Sequence, residues 1–392
     1  MNRFVKTALA LVAAGSASNA APGDNEWLEL DSEINGLASS LKPSEDGMGW
    51  AALLRAALSY SSDDIATGGG NSPDTSGFNF NDVDLAFWGS QGPYRWRISA
   101  DIDDNDAGLA SGGTSFLLED AHIVWNCGGY FDAMMGQFKP HVTRSNSVDP
   151  EKQVLIDRTS IGSAFDVWDD GVGLSGVWEY INWYFSLTDG QNGHERDHIY
   201  VLRGEYNLGQ GAGNYEGAMG SSDQMNGTVG LTLLHDDTNG DVDGDNNADN
   251  TSWIVDFNGN VSNVGFGAEV AQLDDDTFLA TSGDYSNIFD SSTGTGTPLP
   301  TPTSALVLFG DSTPWNVTVS YLINPEWEVA ARYEDLDNGD NNGPDNTVLS
   351  LGANWYRGNA GKWQAQWSNF DADSAFNDGA VFEVGYSVGS TR

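Results

Sequence analysis

The chain has 392 residues, enough for two or three average domains or one large repetitive one. Asp and Glu number 57 against 16 Lys and Arg, a formal net charge of -41, and so strong a polyanion repels phosphate, which argues against nucleic acid as a partner. Fourteen Trp, 13 Tyr and 17 Phe are too many aromatics for a disordered chain, and the lone Cys127 excludes an internal disulfide or a thiolate metal cluster.

Residues 1–20 read as an export signal. Arg3 and Lys6 form the charged end, Ala8 to Ala14 the apolar core, and Ser18-Asn19-Ala20 a small-residue cleavage site. No later stretch approaches the roughly 18 apolar residues that a transmembrane helix needs. Export without a spanning helix leaves a secreted protein, a periplasmic one, or a β-barrel in an outer membrane. Across 21–48, Trp27, Leu30, Ile34, Leu37 and Leu41 follow the 3-4 spacing of a heptad seam. Two heptads suit either a short coiled coil between protomers or an amphipathic helix on its own domain, and Lys42-Pro43 ends the helix.

From Gly49 onward the pattern has a period of two. Tyr94, Trp96, Ile98 and Ala100 interleave with Arg95, Arg97, Ser99 and Asp101, and Trp327, Val329, Ala331 and Tyr333 interleave with Glu328, Ala330, Arg332 and Glu334. Val317 to Tyr321, Trp363 to Trp367 and Phe382 to Tyr386 repeat it. These segments predict strands of roughly ten residues, about sixteen in all, and tight breaks at Gly128-Gly129 and Asn324-Pro325 alternate with long polar ones. A polar face carrying Arg, Glu and Asp along most of a strand suits a water-filled lumen better than a soluble β-sandwich. The predicted fold is therefore an all-β transmembrane antiparallel barrel over 49–392. Trp88, Tyr94, Trp125, Tyr130, Trp178, Tyr180, Trp183, Trp253, Trp315, Trp327, Trp355 and Tyr356 are expected in its interfacial girdles.

Four segments, in order, resemble the phosphate-selective porin family of Gram-negative outer membranes. They are Glu119-Asp120-Ala121-His122-Ile123-Val124 with Met135-Gly136-Gln137-Phe138-Lys139-Pro140; Asp170-Gly171-Val172-Gly173-Leu174-Ser175-Gly176; Arg332-Tyr333-Glu334-Asp335-Leu336-Asp337; and Leu351-Gly352-Ala353-Asn354-Trp355-Tyr356. The resemblance implies a sixteen-stranded homotrimer in outer-membrane lipid with a constricting inward loop, passing small hydrophilic solutes or ions. Some members of that family carry an N-terminal coiled coil. Two features depart from its pattern. Only 14 basic residues remain once Arg3 and Lys6 are removed with the signal, few for the Arg- and Lys-lined lumen that phosphate selectivity implies in that family, and the chain ends Ser390-Thr391-Arg392 instead of on an aromatic residue.

The polar stretch near 139–169 is too long for a turn, and long loops within compact folds are usually functional. It holds Lys139, Arg144, Lys152 and Arg158, and Arg95 and Arg97 precede it. Placed inward, these bases would oppose Asp101, Asp103, Glu269, Glu328 and Glu334, with Arg332 beside the last, and opposed charges in a narrow lumen select by field and size. The alternative is that the bases pair with acids inside a packed loop. The excess of acid favours weak cation selectivity. Asn239, Asp241, Asp243 and Gly244 match half of a Ca²⁺-loop pattern, but its twelfth position is Asn250 where a Glu belongs. His194 and His198 flank Glu195-Arg196-Asp197, which lacks a zinc-protease pattern. No catalytic motif is present, so the expectation is a non-enzymatic channel; the rival is a secreted carbohydrate-binding or adhesive β-protein.

Overall fold

The computed structural model describes residues 47–61, 75–102, 117–189, 198–213, 215–236, 251–273, 312–337, 346–357, 361–372 and 379–389. The export signal, the heptad seam, Asp103, His194 and the candidate Ca²⁺ ligands Asn239, Asp241 and Asp243 lie outside the described residues.

The first eight strands are β1 (Gly47–Ser61), β2 (Thr75–Gln91), β3 (Tyr94–Asp101), β4 (Leu117–Asn126), β5 (Asp132–Phe138), β6 (Asp169–Trp178), β7 (Ile181–Thr188) and β8 (Ile199–Leu208). The second eight are β9 (Asn226–Asp236), β10 (Thr251–Val261), β11 (Val264–Gln272), β12 (Trp315–Asn324), β13 (Trp327–Asp335), β14 (Asn346–Tyr356), β15 (Gly361–Ala372) and β16 (Gly379–Gly389). Each strand pairs antiparallel with its neighbours in sequence, and β1 closes the ring on β16 in the register Ala56↔Tyr386. Closure leaves no edge strand, so the ladder satisfies the backbone groups that a bilayer cannot.

Local chemistry sets the tight turns at one end of the barrel. Gly128 and Gly129 adopt positive φ between β4 and β5, where a left-handed backbone favours glycine. The Asn324 side chain accepts from the amides of Glu326 at 2.9 Å and Trp327 at 3.1 Å, turning β12 into β13. The other end carries the longer connections, including 139–168 between β5 and β6.

The burial pattern is inverted relative to a water-soluble protein. Along β13, Val329 and Tyr333 are each 40% exposed, while Glu328 is 0% and Arg332 2% exposed. The same parity runs through β12, where Trp315, Val317, Val319 and Tyr321 face out and Asn316 and Ser320 are buried. Aromatics crowd the outer face near the tight turns, with Trp327 and Trp355 stacked at 5.7 Å and Trp363 against Tyr386 at 4.6 Å. Two expected girdle residues are corrected. Strand parity turns Tyr356 inward, where its hydroxyl donates to Glu328 at 2.5 Å, and Trp88 lies on the inner face opposite Gly49 because its neighbour Phe87 faces out.

An apolar outer face makes a specific demand. Val319→Arg should destabilise the barrel by about 2–4 kcal/mol in lipid, as charge at mid-depth does in such barrels, while Val319→Leu changes little. Equilibrium unfolding in vesicles measures both, and equal stability of the two variants would contradict a lipid-facing position.

Candidate pore constriction

The connection 139–168 is built to hold its own shape. It contains α1 (Arg144–Ser147), a 3-10 turn over Pro150–Lys152, and α2 (Ser160–Ala164). Thr143 caps α1 by accepting from the Asn146 amide at 3.0 Å, and Thr159 caps α2 by accepting from the Gly162 amide at 2.9 Å. Asn146 is buried and ties the ends of the loop together: its Nδ2 donates to the carbonyls of Pro140 and Phe165, each at 3.0 Å, and its Oδ1 accepts from the Thr143 amide at 3.1 Å.

The loop is also fastened to the inner wall across much of the circumference. From β8 and β9, Arg203 and Thr232 donate to the Val142 carbonyl at 3.0 and 2.6 Å. On β11, Glu269 accepts from the Thr159 hydroxyl at 2.6 Å; on β13, Glu334 accepts from the Ser160 amide at 2.8 Å, and Arg332 donates to the Asp157 carbonyl at 2.9 Å. Asn354 of β14 donates to the Val154 carbonyl at 2.8 Å and Lys362 of β15 to the Gln153 carbonyl at 2.5 Å. Gln366 accepts from the Ile156 amide at 2.7 Å, and Arg55 of β1 donates to the Ile156 carbonyl at 2.5 Å.

Apolar side chains seal the same contact. Val142, Ile161, Phe165 and Val167 pack with the inward residues Val201, Leu234, Ile254, Ala271, Val348 and Val381. Full burial of such side chains stabilises by about 1.5–3 kcal/mol each. The loop therefore fills the β8–β16 side of the barrel with a small hydrophobic core.

The residues singled out from sequence fall into distinct settings. Lys139 pairs with Asp166 and lies 4.0 Å over the Trp168 ring, and Arg158 meets Asp166 at 2.9 Å while donating to the carbonyls of Ser145 and Val148. Arg144 donates to the Gly213 carbonyl, and Lys152 pairs with Asp149 at 2.5 Å. These four bases thus bind within the loop or to a neighbouring connection and do not gather in one cluster. Arg332 and Glu334 are anchors of the loop. Arg95 pairs with Asp132, Arg97 with Asp120 at 2.7 Å, and Asp101 accepts from the Val83 amide at 3.2 Å, all on the β2–β5 wall away from the hydrophobic seal.

Sequence reading missed Arg203, which grips Asp256 through both terminal nitrogens at 2.5 and 3.0 Å and meets Glu205 at 3.0 Å, with all three buried. It also missed Arg55, Asn146, Asp166 and Lys362. The available signal was parity, since Arg203 and Glu205 alternate with Leu202 and Tyr206 along β8. Among the described residues, no group of three or more His, Cys, Asp and Glu is arranged to hold a metal ion.

No protein-family model matches the chain, and no curated protein matches it in sequence. Its fold is shared with outer-membrane porins of known structure. The anion-selective porin from Comamonas acidovorans matches with a TM-score of 0.57 and 9% identity, over 88% of this chain and 99% of that one. OprB from Pseudomonas putida matches with 0.61 and 9%, over 91% and 96%. A loop-deleted form of OmpT, an outer membrane protein of Vibrio cholerae, matches with 0.56 and 11%, over 88% and 100%.

Asp166 makes the loop sensitive to acid. Burial alone would push its carboxyl up, but Arg158 and Lys139 outweigh burial and hold it below the ordinary aspartate value of 3.8. A depressed carboxyl contributes stability that is present above its unfolded value and lost as pH falls through the folded one. The loop should be firm at neutral pH and loosen as the medium falls below about pH 4. Asp166→Asn should loosen it at neutral pH, by about 1.5–3 kcal/mol for bonds to charged groups. Hydrogen exchange of the amides in 142–165 reads both effects; unchanged protection in the variant would contradict this role.

Proposed function

We propose that this protein is an outer-membrane channel for passive diffusion of small ions and hydrophilic solutes, weakly cation-selective and without chemistry of its own. The observation that carries the reading is the inverted sixteen-strand ring, with apolar side chains outside, polar and charged ones inside, and a loop folded into the lumen. A bilayer favours that arrangement and water does not. The export signal fits an outer-membrane destination.

The loop is bonded and sealed to the β8–β16 side, so the passage in this reading runs along β2–β5. That wall carries Asp84, Asp101, Glu119, Asp120 and Asp132 against Arg95 and Arg97, with Lys139 at the root of the loop. Arg97 remains 39% exposed beside Asp120, as a group facing an aqueous lane would be. With Lys139 offset by its partner Asp166, the carboxylates of this wall outnumber Arg95 and Arg97 and leave a modest negative excess, which enriches cations without excluding anions. The four-segment resemblance supports a place among the phosphate-selective porins and a homotrimeric assembly, although this charge balance does not suit phosphate as the cargo.

Single-channel recording in a KCl gradient tests the reading. The reversal potential should show a modest cation preference, and Arg97→Gln should strengthen it while Asp120→Asn weakens it. Clear anion preference in the wild type would overturn the selectivity, and an absence of channels from a folded, membrane-inserted barrel would overturn the function.

A further inference from the structure

One connection at the tight-turn end differs from its neighbours. The turns β2–β3, β4–β5, β6–β7, β10–β11 and β12–β13 use two to five residues, whereas β8 and β9 are joined by 209–225. This connection does not stay at the rim. The Glu216 amide donates to the Lys152 carbonyl at 3.0 Å, and the Glu216 carboxylate accepts from the Val154 amide at 3.3 Å, so it touches the 139–168 loop, which starts from the opposite end of the barrel. Arg144 of that loop donates to the Gly213 carbonyl in return.

The same connection lies directly on the wall. The Ala218 amide donates to Glu328 of β13 at 2.6 Å, and Glu328 is fully buried between Ala218 and the Tyr356 hydroxyl. Two glycines make the approach possible. Gly217 has φ +82°, and a Cβ there would sit 2.5 Å from Glu328 Oε1; a Cβ on Gly265 of β11 would sit 2.2 Å from the Gly217 carbonyl carbon. A side chain on Gly265 would push the two backbones apart, whereas one on Gly217 would displace the Glu328 carboxylate and strain a left-handed backbone. Glu216 is 6% and Ala218 0% exposed. The space left between the connection, the loop and the wall is a pocket bordered by Arg144, Glu216, Glu269 and Asn316.

We propose that the described parts of this connection, 209–213 and 215–225, form a second constriction element, a clasp that enters from the tight-turn mouth, braces the tip of the inward loop, and closes the β10–β13 side of the lumen. The proposal rests on the channel reading above and adds a feature to it: two connections from opposite ends meet inside the barrel and confine permeation to the β2–β5 lane. Glu216 and Glu328 act as fasteners of this clasp and not as groups that solutes meet.

The test compares full-length protein with two variants in planar bilayers. In one, residues 211–221 are replaced by Asn-Gly. In the other, Gly265→Val, chain length is unchanged and the valine methyls occupy the space of the clasp backbone. Each should raise single-channel conductance by about twofold or more, because conductance follows the open section of the pore. Folding is checked by heat-dependent migration in SDS, and if the shortened chain does not fold, Gly265→Val decides alone. Wild-type conductance from a folded Gly265→Val barrel would overturn the clasp and leave the channel reading intact. A wild-type protein that forms no channels would overturn both.

Discussion

The constraint on which everything else depends is that a bilayer supplies no hydrogen-bonding partner. A chain that crosses it with strands must pair each backbone group inside one closed ring and turn apolar side chains to the outside. The period of two then delivers every second residue to the interior, where polar and ionic groups are retained because water and one another are the available partners. In β13, one strand places Val329 and Tyr333 outward and Glu328, Arg332 and Glu334 inward by nothing more than alternation.

The inward groups are not left lining an empty tube. Arg55, Arg203, Arg332 and Lys362 all donate to carbonyls of the 139–168 loop, so charges that parity forces inside become the fasteners of the constriction. Buried ions of this kind are expensive unless fully bonded. Arg203 meets that condition by holding Asp256, Glu205, Thr232 and the Val142 carbonyl together. Where the loop presents Phe165 and Ile161, the wall presents Leu234 and Ile254, and a hydrophobic seal forms inside a barrel whose outer surface is also hydrophobic. The loop's apolar seal falls on the β8–β16 side, and the ion pairs of Arg95 and Arg97 on the β2–β5 wall stand outside it.

Alternation is a local property, and it was legible in the sequence: the strands around Tyr94, Trp327 and Trp363 lie where the period of two put them. The same rule, applied strictly, turns Tyr356 inward, whereas grouping it with Trp355 by residue type put it in the girdle. The long loop was legible by its length, but its partners were not. Ile156 and Gln366 are joined across 210 positions, and no local pattern announces such a pair. Asp166 was hidden among 57 acidic residues. The excursion at 209–225 was invisible because Gly209-Gln210-Gly211-Ala212-Gly213 reads as an ordinary turn, and the contacts that draw it inward come from Gly265 and Glu328 on strands far along the chain.

The inversion of faces is most directly tested by its period. With Cys127→Ser as background, each residue from Trp327 to Glu334 would be replaced in turn by cysteine, spin-labelled in vesicles, and scored for collision with oxygen, which concentrates in lipid, and with a water-soluble relaxant. The odd-numbered positions 327, 329, 331 and 333 should be oxygen-accessible and shielded from the aqueous relaxant, while the even-numbered ones show low oxygen access. A flat profile, or odd positions open to the aqueous relaxant, would contradict a lipid-facing barrel.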